Sequence, residues 1–300
     1  TNGLKQLNAD AVPLFLCVDE EGGRVSRMPE EVMDLPSADT FGQRHDASEL
    51  TRLGQTLGME CAAFGFNLDF APVADVRSNP ENTVIGDRAY SGDPGRAADA
   101  AAWVDGGMRE AGIISVWKHF PGHGNTATDS HQALPVVELS REDWARGDAV
   151  PFRRAVECGA PAVMAGHIRM TAFDPEYPAS LSHVLVSEVL REELGFTGVV
   201  CTDDLTMGAI SDTYGMGEAA VLAVEAGCDL LLVCHGADNL TQARQALLGA
   251  VDGGRISPAR LEESVYRILA LKAEYGLTNQ TVEAPDVAAL NQAVQALLGE

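Results

Sequence analysis

Positive charge is scarce in this chain. Its 300 residues hold 21 Lys and Arg against 44 Asp and Glu, a formal net charge of −23. Such a surface repels phosphate backbones, so nucleic acid is a poor partner, and the acidic excess reads first as solubility. No apolar run is long and clean enough to span a bilayer. The first residues, Thr1-Asn2-Gly3-Leu4-Lys5, lack the basic-then-apolar form of a signal peptide. They also lack an initiator Met, which leaves room for a removed leader. The expectation is a cytoplasmic protein, or a secreted or surface-attached one if a leader has gone. The six cysteines (Cys17, Cys61, Cys158, Cys201, Cys228 and Cys234) show no CxxC spacing. Cys17, Cys201 and Cys234 lie in or beside apolar runs. They read as small buried hydrophobes, not as a zinc site or a disulfide framework. Internal repeats and low-complexity segments are missing too.

What the chain does have is alternation. Short apolar runs at Val12–Val18, Phe66–Val73, Ile113–Lys118, Ala162–Gly166, Gly198–Thr202 and Leu230–Cys234 read as strands buried on both faces. Helical patterns separate them at Ala47–Gly65, Pro94–Ala111, Arg141–Cys158, Ser182–Leu194 and Gly217–Ala226. Two more follow near Asn239–Leu248 and Ser257–Glu274, the second with a Ser cap and Pro258 in its first turn. Repeated βα units imply a parallel sheet, either doubly wound or closed as a TIM-like (β/α)8 barrel. Polar, chemically rich residues follow nearly every strand: Asp19-Glu20-Glu21, Asp75, Lys118-His119, His167, Asp203-Asp204 and His235. An open sheet gathers such groups at one switch point, whereas a barrel carries them at the carboxyl ends of many strands. The barrel is therefore preferred, with only six strands legible. Residues 1–276 read as the barrel body. Residues 277–300 read as a linker and an amphipathic helix, Asp286–Leu298, suited to core docking or to an interface with another chain.

The densest chemistry lies in Trp117–His131, which packs a Lys, three His and an Asp into one loop after a strand. His and Lys supply proton-transfer and hydrogen-bonding groups that work near neutral pH. Asp129 is close enough in sequence to bond His131 and favour its charged form. His119 and His123 have the spacing of two metal ligands on a helix, but Pro121 and Gly122 between them argue against a helix. Asp203 ends an apolar strand and suits a nucleophile or base, while Asp204 suits a helix cap. In Asp19–Arg27, two Arg among three acids suggest either an internal salt-bridge cluster or, through Asp19 and Arg27, contacts to a polar ligand. Arg88 sits on a Gly-punctuated strand-to-helix loop, a common place for ligand contact.

Six ordered blocks resemble glycoside hydrolase family 3 β-N-acetylglucosaminidases of the single-domain NagZ type. They are Asp19–Val25, Asn67–Val73, Gly86-Asp87-Arg88, Lys118–His131, Pro178–Ser182 and Thr202–Met207. The Asp129-Ser130-His131 end of the longest block points to the glucosaminidase branch over the β-glucosidases. The resemblance implies a TIM-like barrel, no cofactor, no metal and a retaining, two-step hydrolysis of terminal β-linked GlcNAc. The substrate would be a small carbohydrate such as a peptidoglycan fragment or a chitooligosaccharide. It implies Asp203 as nucleophile, His131 as acid/base and Asp129 as its orienting partner. Asp19, Arg27, Arg88, Lys118, His119 and His167 would bind the sugar. A neutral imidazole base repels an anionic acceptor less than a carboxylate does, so a phosphorylase on the same site is the nearest alternative. A β-glucosidase or β-xylosidase, a metal-dependent hydrolase and a non-catalytic sugar-binding protein are the others. Two departures stand out. Glu20 replaces the family's usual Gln, and the strand and helix that normally precede the first block are not legible, so the barrel is expected to be a strand short. The loop Gly122–Pro135 is expected to close over the sugar and bring His131 to it.

Overall fold

The computed structural model describes residues 1–8, 12–44, 46–126 and 134–299. Among them, six parallel strands form one sheet in the order β1 (Cys17–Val18), β2 (Leu68–Asp69), β3 (Ile114–Phe120), β5 (Ala162–Ala165), β7 (Val199–Asp204) and β8 (Leu230–Leu232). The order along the sheet is the order along the chain, as βα crossovers of one hand produce. A separate parallel pair, β4 (Val136–Val137) and β6 (Arg169–Met170), was not legible in the sequence. Both are two residues long, too short for a period-two signal. All six sheet strands overlap the runs read from the sequence.

Side-chain parity organises the sheet. Leu68, Phe70, Ile114, Val116, Ala162, Met164, Val199 and Cys201 share one core cluster, joined by the partly buried Phe15, Cys17, Leu230 and Leu232. Every second residue of successive strands thus meets on one side, as a curled sheet requires. The intervening residues, among them Val18, Trp117, Val163, Ala165 and Val200, belong to the larger cluster shared with the helices. Leu271 on α10 (Pro258–Glu274) joins the inner cluster and closes the amino-terminal end of the curl.

The flanking helices are α1 (Asn2–Leu7), α2 (Ala38–Arg44), α3 (Ala47–Ala63), α4 (Pro94–Glu110), α5 (Arg141–Arg146), α6 (Ala149–Glu157), α7 (Gly208–Ser211), α8 (Met216–Ala226), α9 (Ala237–Asp252), α10 and α11 (Val287–Leu298). Their starts follow the chain's capping chemistry. Asp46 and Glu49 form a reciprocal capping box on α3, and Asp93, Ser140, Ser257 and Asp286 each accept an amide at a helix start. The single helix expected over Arg141–Cys158 is split at Gly147 into α5 and α6. The segment Val184–Glu193 winds as a wide π-helix. Val294 and Leu297 of α11 are buried in the main core, and the helix lies against α3. No helix among the described residues is long and apolar enough to cross a membrane.

Candidate active site

The inner-face parity continues past the apolar core to the carboxyl ends of the strands. Counting on by twos from the core residues reaches Asp19 after β1, Phe70 after β2, Lys118 on β3, Met164 on β5, Asp203 on β7 and Cys234 after β8. All six line one cleft of about 510 Å³, together with Glu21, Val25, Arg27, Val84, Arg88, His119, His123, Asp204, Thr206, Met207 and His235. The β3–β5 register shifts between Trp117 and Phe120. That irregularity lets two consecutive residues, Lys118 and His119, both reach the cleft.

A charge network builds one wall. Lys118 is buried and donates at 2.6 Å to Asp19 and at 2.6 Å to Glu21. Arg88 donates two parallel bonds of 2.8 Å to the same Glu21, the geometry that makes Arg–carboxylate pairs strong. Burial alone would raise the Glu21 carboxyl, but Lys118 and then Arg88 outweigh it and hold it at about 2. Burial likewise opposes the charge on Lys118, and Glu21 and Asp19 reverse that, raising it above the usual amine range. Glu21 and Lys118 therefore hold each other in their charged forms. Gly22 and Gly23, with φ of +76° and +57°, turn the chain after Glu21. The turn pairs Glu21 with Val25 and sends Gly23 to the Leu35 carbonyl. Arg24, by contrast, leaves the cleft for Asp87 and the carbonyls of residues 83–85. Arg27 is exposed at the rim, bonds only its neighbour's carbonyl and makes no ion pair among the described residues. Glu20 points away from the cleft and accepts from Ser26 and the Arg27 amide.

Asp75 organises the part of the wall that carries His119 and His123. It is wholly buried and accepts the His119 ring at 2.7 Å, the His119 amide at 3.3 Å and the His123 amide at 2.6 Å. Burial would raise its carboxyl, but the His119 ring and these N–H donors keep it below the ordinary range. An ionised Asp75 only accepts, so His119 carries a proton on Nδ1 and presents Nε2 elsewhere.

Asp203 lies on the cleft floor. Burial opposes its charge, but His167, His119, the Asp204 amide and Lys118 together lower it below the usual carboxylate range. It is thus an anion at neutral pH with one oxygen bonded to that amide at 2.8 Å. Asp204 was expected to cap the next helix, but α7 starts after Met207 with no side-chain cap, and Asp204 braces the turn before it. It accepts from Thr206 through the amide at 3.0 Å and through the hydroxyl at 2.5 Å, and from the Cys234 amide at 3.0 Å. It ties the β7 turn to β8. His167 was expected among the sugar-binding residues. The structure places it beneath the cleft, not on its wall. Its Nε2 donates to the Asp204 carbonyl at 2.9 Å and its Nδ1 meets Ser180 at 2.7 Å. Burial lowers its pKa, and the Asp203 charge works the other way.

Asp19, Arg27, Arg88, Lys118, His119 and Asp203 are thus brought to one cleft. Asp129 and His131, with residues 127–133 of the expected closing loop, lie outside the described residues. Sequence reasoning did not single out Glu21 or Asp75 as site residues, although both follow strands and carry the charge that positions Lys118, Arg88 and His119. Cys234, expected as a buried hydrophobe, is exposed on the cleft rim. Burial, Asp204 and Asp203 push its thiol up to about 12, so it is uncharged. Among the described residues no group of three His, Cys, Asp or Glu side chains is placed to hold a metal ion.

Comparison with known proteins shows the family. Residues 2–271 match the sequence pattern of the glycosyl hydrolase family 3 N-terminal domain. The chain belongs to that family. Several of the relatives it resembles are named β-hexosaminidases. One from Nitrosomonas eutropha is 33% identical over 291 residues, covering 94% of this chain and 83% of that protein. Another, from Thiobacillus denitrificans, is 39% identical over 256 residues, covering 83% and 70%. The solved structure of a family 3 β-N-acetylglucosaminidase from Paenibacillus sp. superposes with a TM-score of 0.91 at 41% identity over 98% of this chain. This chain spans 58% of the length of that Paenibacillus chain.

Proposed function

We propose that the chain is a retaining exo-β-N-acetylglucosaminidase that removes terminal β-linked GlcNAc from small glycosides such as peptidoglycan fragments or chitooligosaccharides. The observation that carries this reading is the ionised Asp203 on the cleft floor, opposite a pre-built network of Lys118, Asp19, Glu21 and Arg88. In the first step an Asp203 oxygen bonds to the anomeric carbon as the bond from that carbon to the leaving oxygen breaks. His131 gives the leaving oxygen a proton, with Asp129 orienting its ring. In the second step water attacks the same carbon, His131 takes its proton back and Asp203 leaves. Lys118, Arg88, Asp19, Arg27 and His119 hold the sugar's hydroxyl groups. The six-strand sheet is read as part of the (β/α)8 barrel of the family domain, with residues 1–276 as its body and residues 277–300 docked upon it.

The test is turnover of a β-GlcNAc aryl glycoside beside the matching β-glucoside, with and without phosphate, for the chain and for Asp203→Asn. Expected are preference for GlcNAc, release of the free sugar, and loss of about three or more orders of magnitude in kcat with the variant. Sugar 1-phosphate as product would make the enzyme a phosphorylase, and an unchanged variant would sink the assignment of Asp203.

A further inference from the structure

One carboxyl group behind the cleft takes no part in the arrangement described so far. Asp148 immediately precedes α6 and is 3% exposed. Its Oδ1 has no hydrogen-bond partner among the described residues, and its side chain does not cap its own helix. The group is packed against the turn that ends β3. A Cβ built on Gly122 would lie 2.5 Å from the Asp148 Cβ and 2.8 Å from its Cγ. Gly122 has φ of +126°, so a side chain there is excluded by backbone and by space alike. The next residue, His123, gives its amide to Asp75 at 2.6 Å, and Asp75 holds the His119 ring at 2.7 Å. A continuous chain of contacts therefore runs from α6 through Gly122, His123 and Asp75 to His119 on the cleft wall.

Two carboxyl groups behind one turn cannot both ionise cheaply. Asp75 takes the charge, because three N–H groups point at it. Asp148 holds its proton up to near neutrality, because burial and then the Asp75 charge push it up to about 7. The other neighbours do not offset this. From α5, Trp144 is neutral and bonds the Pro121 carbonyl. On α6, Arg153 turns to the Ala145 carbonyl, and Arg154 pairs with Asp99 and Glu157. On the turn itself, burial and then His119 lower His123.

We propose that Asp148 is a positioning residue for the cleft. Its uncharged carboxyl backs the Gly122 turn and keeps Asp75, and through it the His119 ring, in place on the cleft wall, and its ionisation sets a second negative charge behind that turn and disturbs that placement. Only the catalytic consequence rests on the glucosaminidase reading.

The test combines carboxyl and histidine NMR titrations with kinetics. In the wild-type chain the Asp148 carboxyl carbon is expected to titrate near pH 7, and the His119 and His123 Cε1–H signals to show a step over the same range. Asp148→Asn, which keeps the shape and cannot ionise, should remove that step. On the aryl glycoside its kcat relative to wild type should rise by about fivefold between about pH 6 and 8, with KM within about twofold. An Asp148 midpoint in the ordinary carboxylate range, near about 4, overturns the proposal and needs no variant, so a poorly folding variant does not obscure the result. Identical histidine titrations in the two proteins overturn it as well. Loss of the histidine step in a chain inert towards the glycoside leaves Asp148 in its role and removes the functional reading. Turnover with unaltered histidine titrations does the reverse.

Discussion

Lys118→Met tests whether the cleft network is held by charge. Methionine keeps the length and apolar stem of the lysine and removes only its ammonium group. The Lys118 and Glu21 side chains are 2% and 3% exposed, and the substitution leaves Glu21 with Arg88 alone. Removing one partner of a buried pair costs about 3–5 kcal/mol. A second route gives a similar size. A carboxyl held at about 2 in place of its ordinary 4.5 adds about 3 kcal/mol to native stability near neutrality, shared between Lys118 and Arg88. Relief of the lysine's own desolvation works the other way, so a loss of about 3 kcal/mol is expected near pH 7. The pH dependence follows from the direction of the shift. The folded carboxyl is depressed, so its contribution is complete above about 4.5 and is lost as pH falls through that range towards 2. Urea unfolding followed by circular dichroism, on both proteins from neutral pH down to about pH 3, measures the difference directly. A loss below about 1 kcal/mol at neutral pH, or one that stays constant on acidification, would refute the reasoning.

Two further perturbations reach other parts of the molecule. Glu60 on α3 is 1% exposed, with one oxygen unpartnered among the described residues, and burial followed by Glu20 and Asp34 pushes its carboxyl up to about 8. Its folded value lies above the unfolded one, so it costs the fold stability progressively as pH rises from 4.5 to about 8. Glu60→Gln should therefore raise the melting temperature at pH 8 and change it little at pH 4; equal effects at both would remove the carboxyl's charge from the explanation. Asp229 is wholly buried among Arg191 at 2.6 Å, Arg267 at 3.1 Å and Arg260 at 3.7 Å, and also accepts from Ser264 and the Val200 amide. Asp229→Ala strands those guanidinium groups and should cost about 3–5 kcal/mol in urea unfolding, freeing α10 from the sheet. Unchanged stability would mean that α10 is held by apolar contacts alone.

Much of the site was legible because it follows the strand rhythm. Val199, Cys201 and Asp203, or Ile114, Val116 and Lys118, are every-second-residue series that pass from core to cleft. Both faces of these strands are buried, which hid the alternation in composition but not in spacing. The terminal pair Val136–Val137 and Arg169–Met170 is too short to leave any rhythm. For His167, a place after a strand says nothing about which way the ring turns. It turns under the floor, where Ser180 and the Asp204 carbonyl satisfy both nitrogens. Glu21 and Asp75 were passed over for the opposite reason. Their importance lies in partners far along the chain, with Arg88 67 residues and His119 44 residues away, and no local pattern encodes such a distance.

The order of the strands also sets the order in which the cleft would come apart. β1 and β8 are the ends of the six-strand sheet, each hydrogen-bonded along one side only among the described residues, while β3 and β5 lie in its middle. Asp19 follows β1 directly, and Cys234 and His235 follow β8, so the rim hangs on the two strands with the fewest neighbours. Lys118 and His119 sit on a strand clasped from both sides. Strands at sheet margins open at lower free energy than central ones. Amide exchange would run as a gradient from rim to centre. Heat would slacken the hold on the sugar, seen as a climbing KM, at temperatures where the reacting groups are still aligned and each captured molecule still turns over quickly.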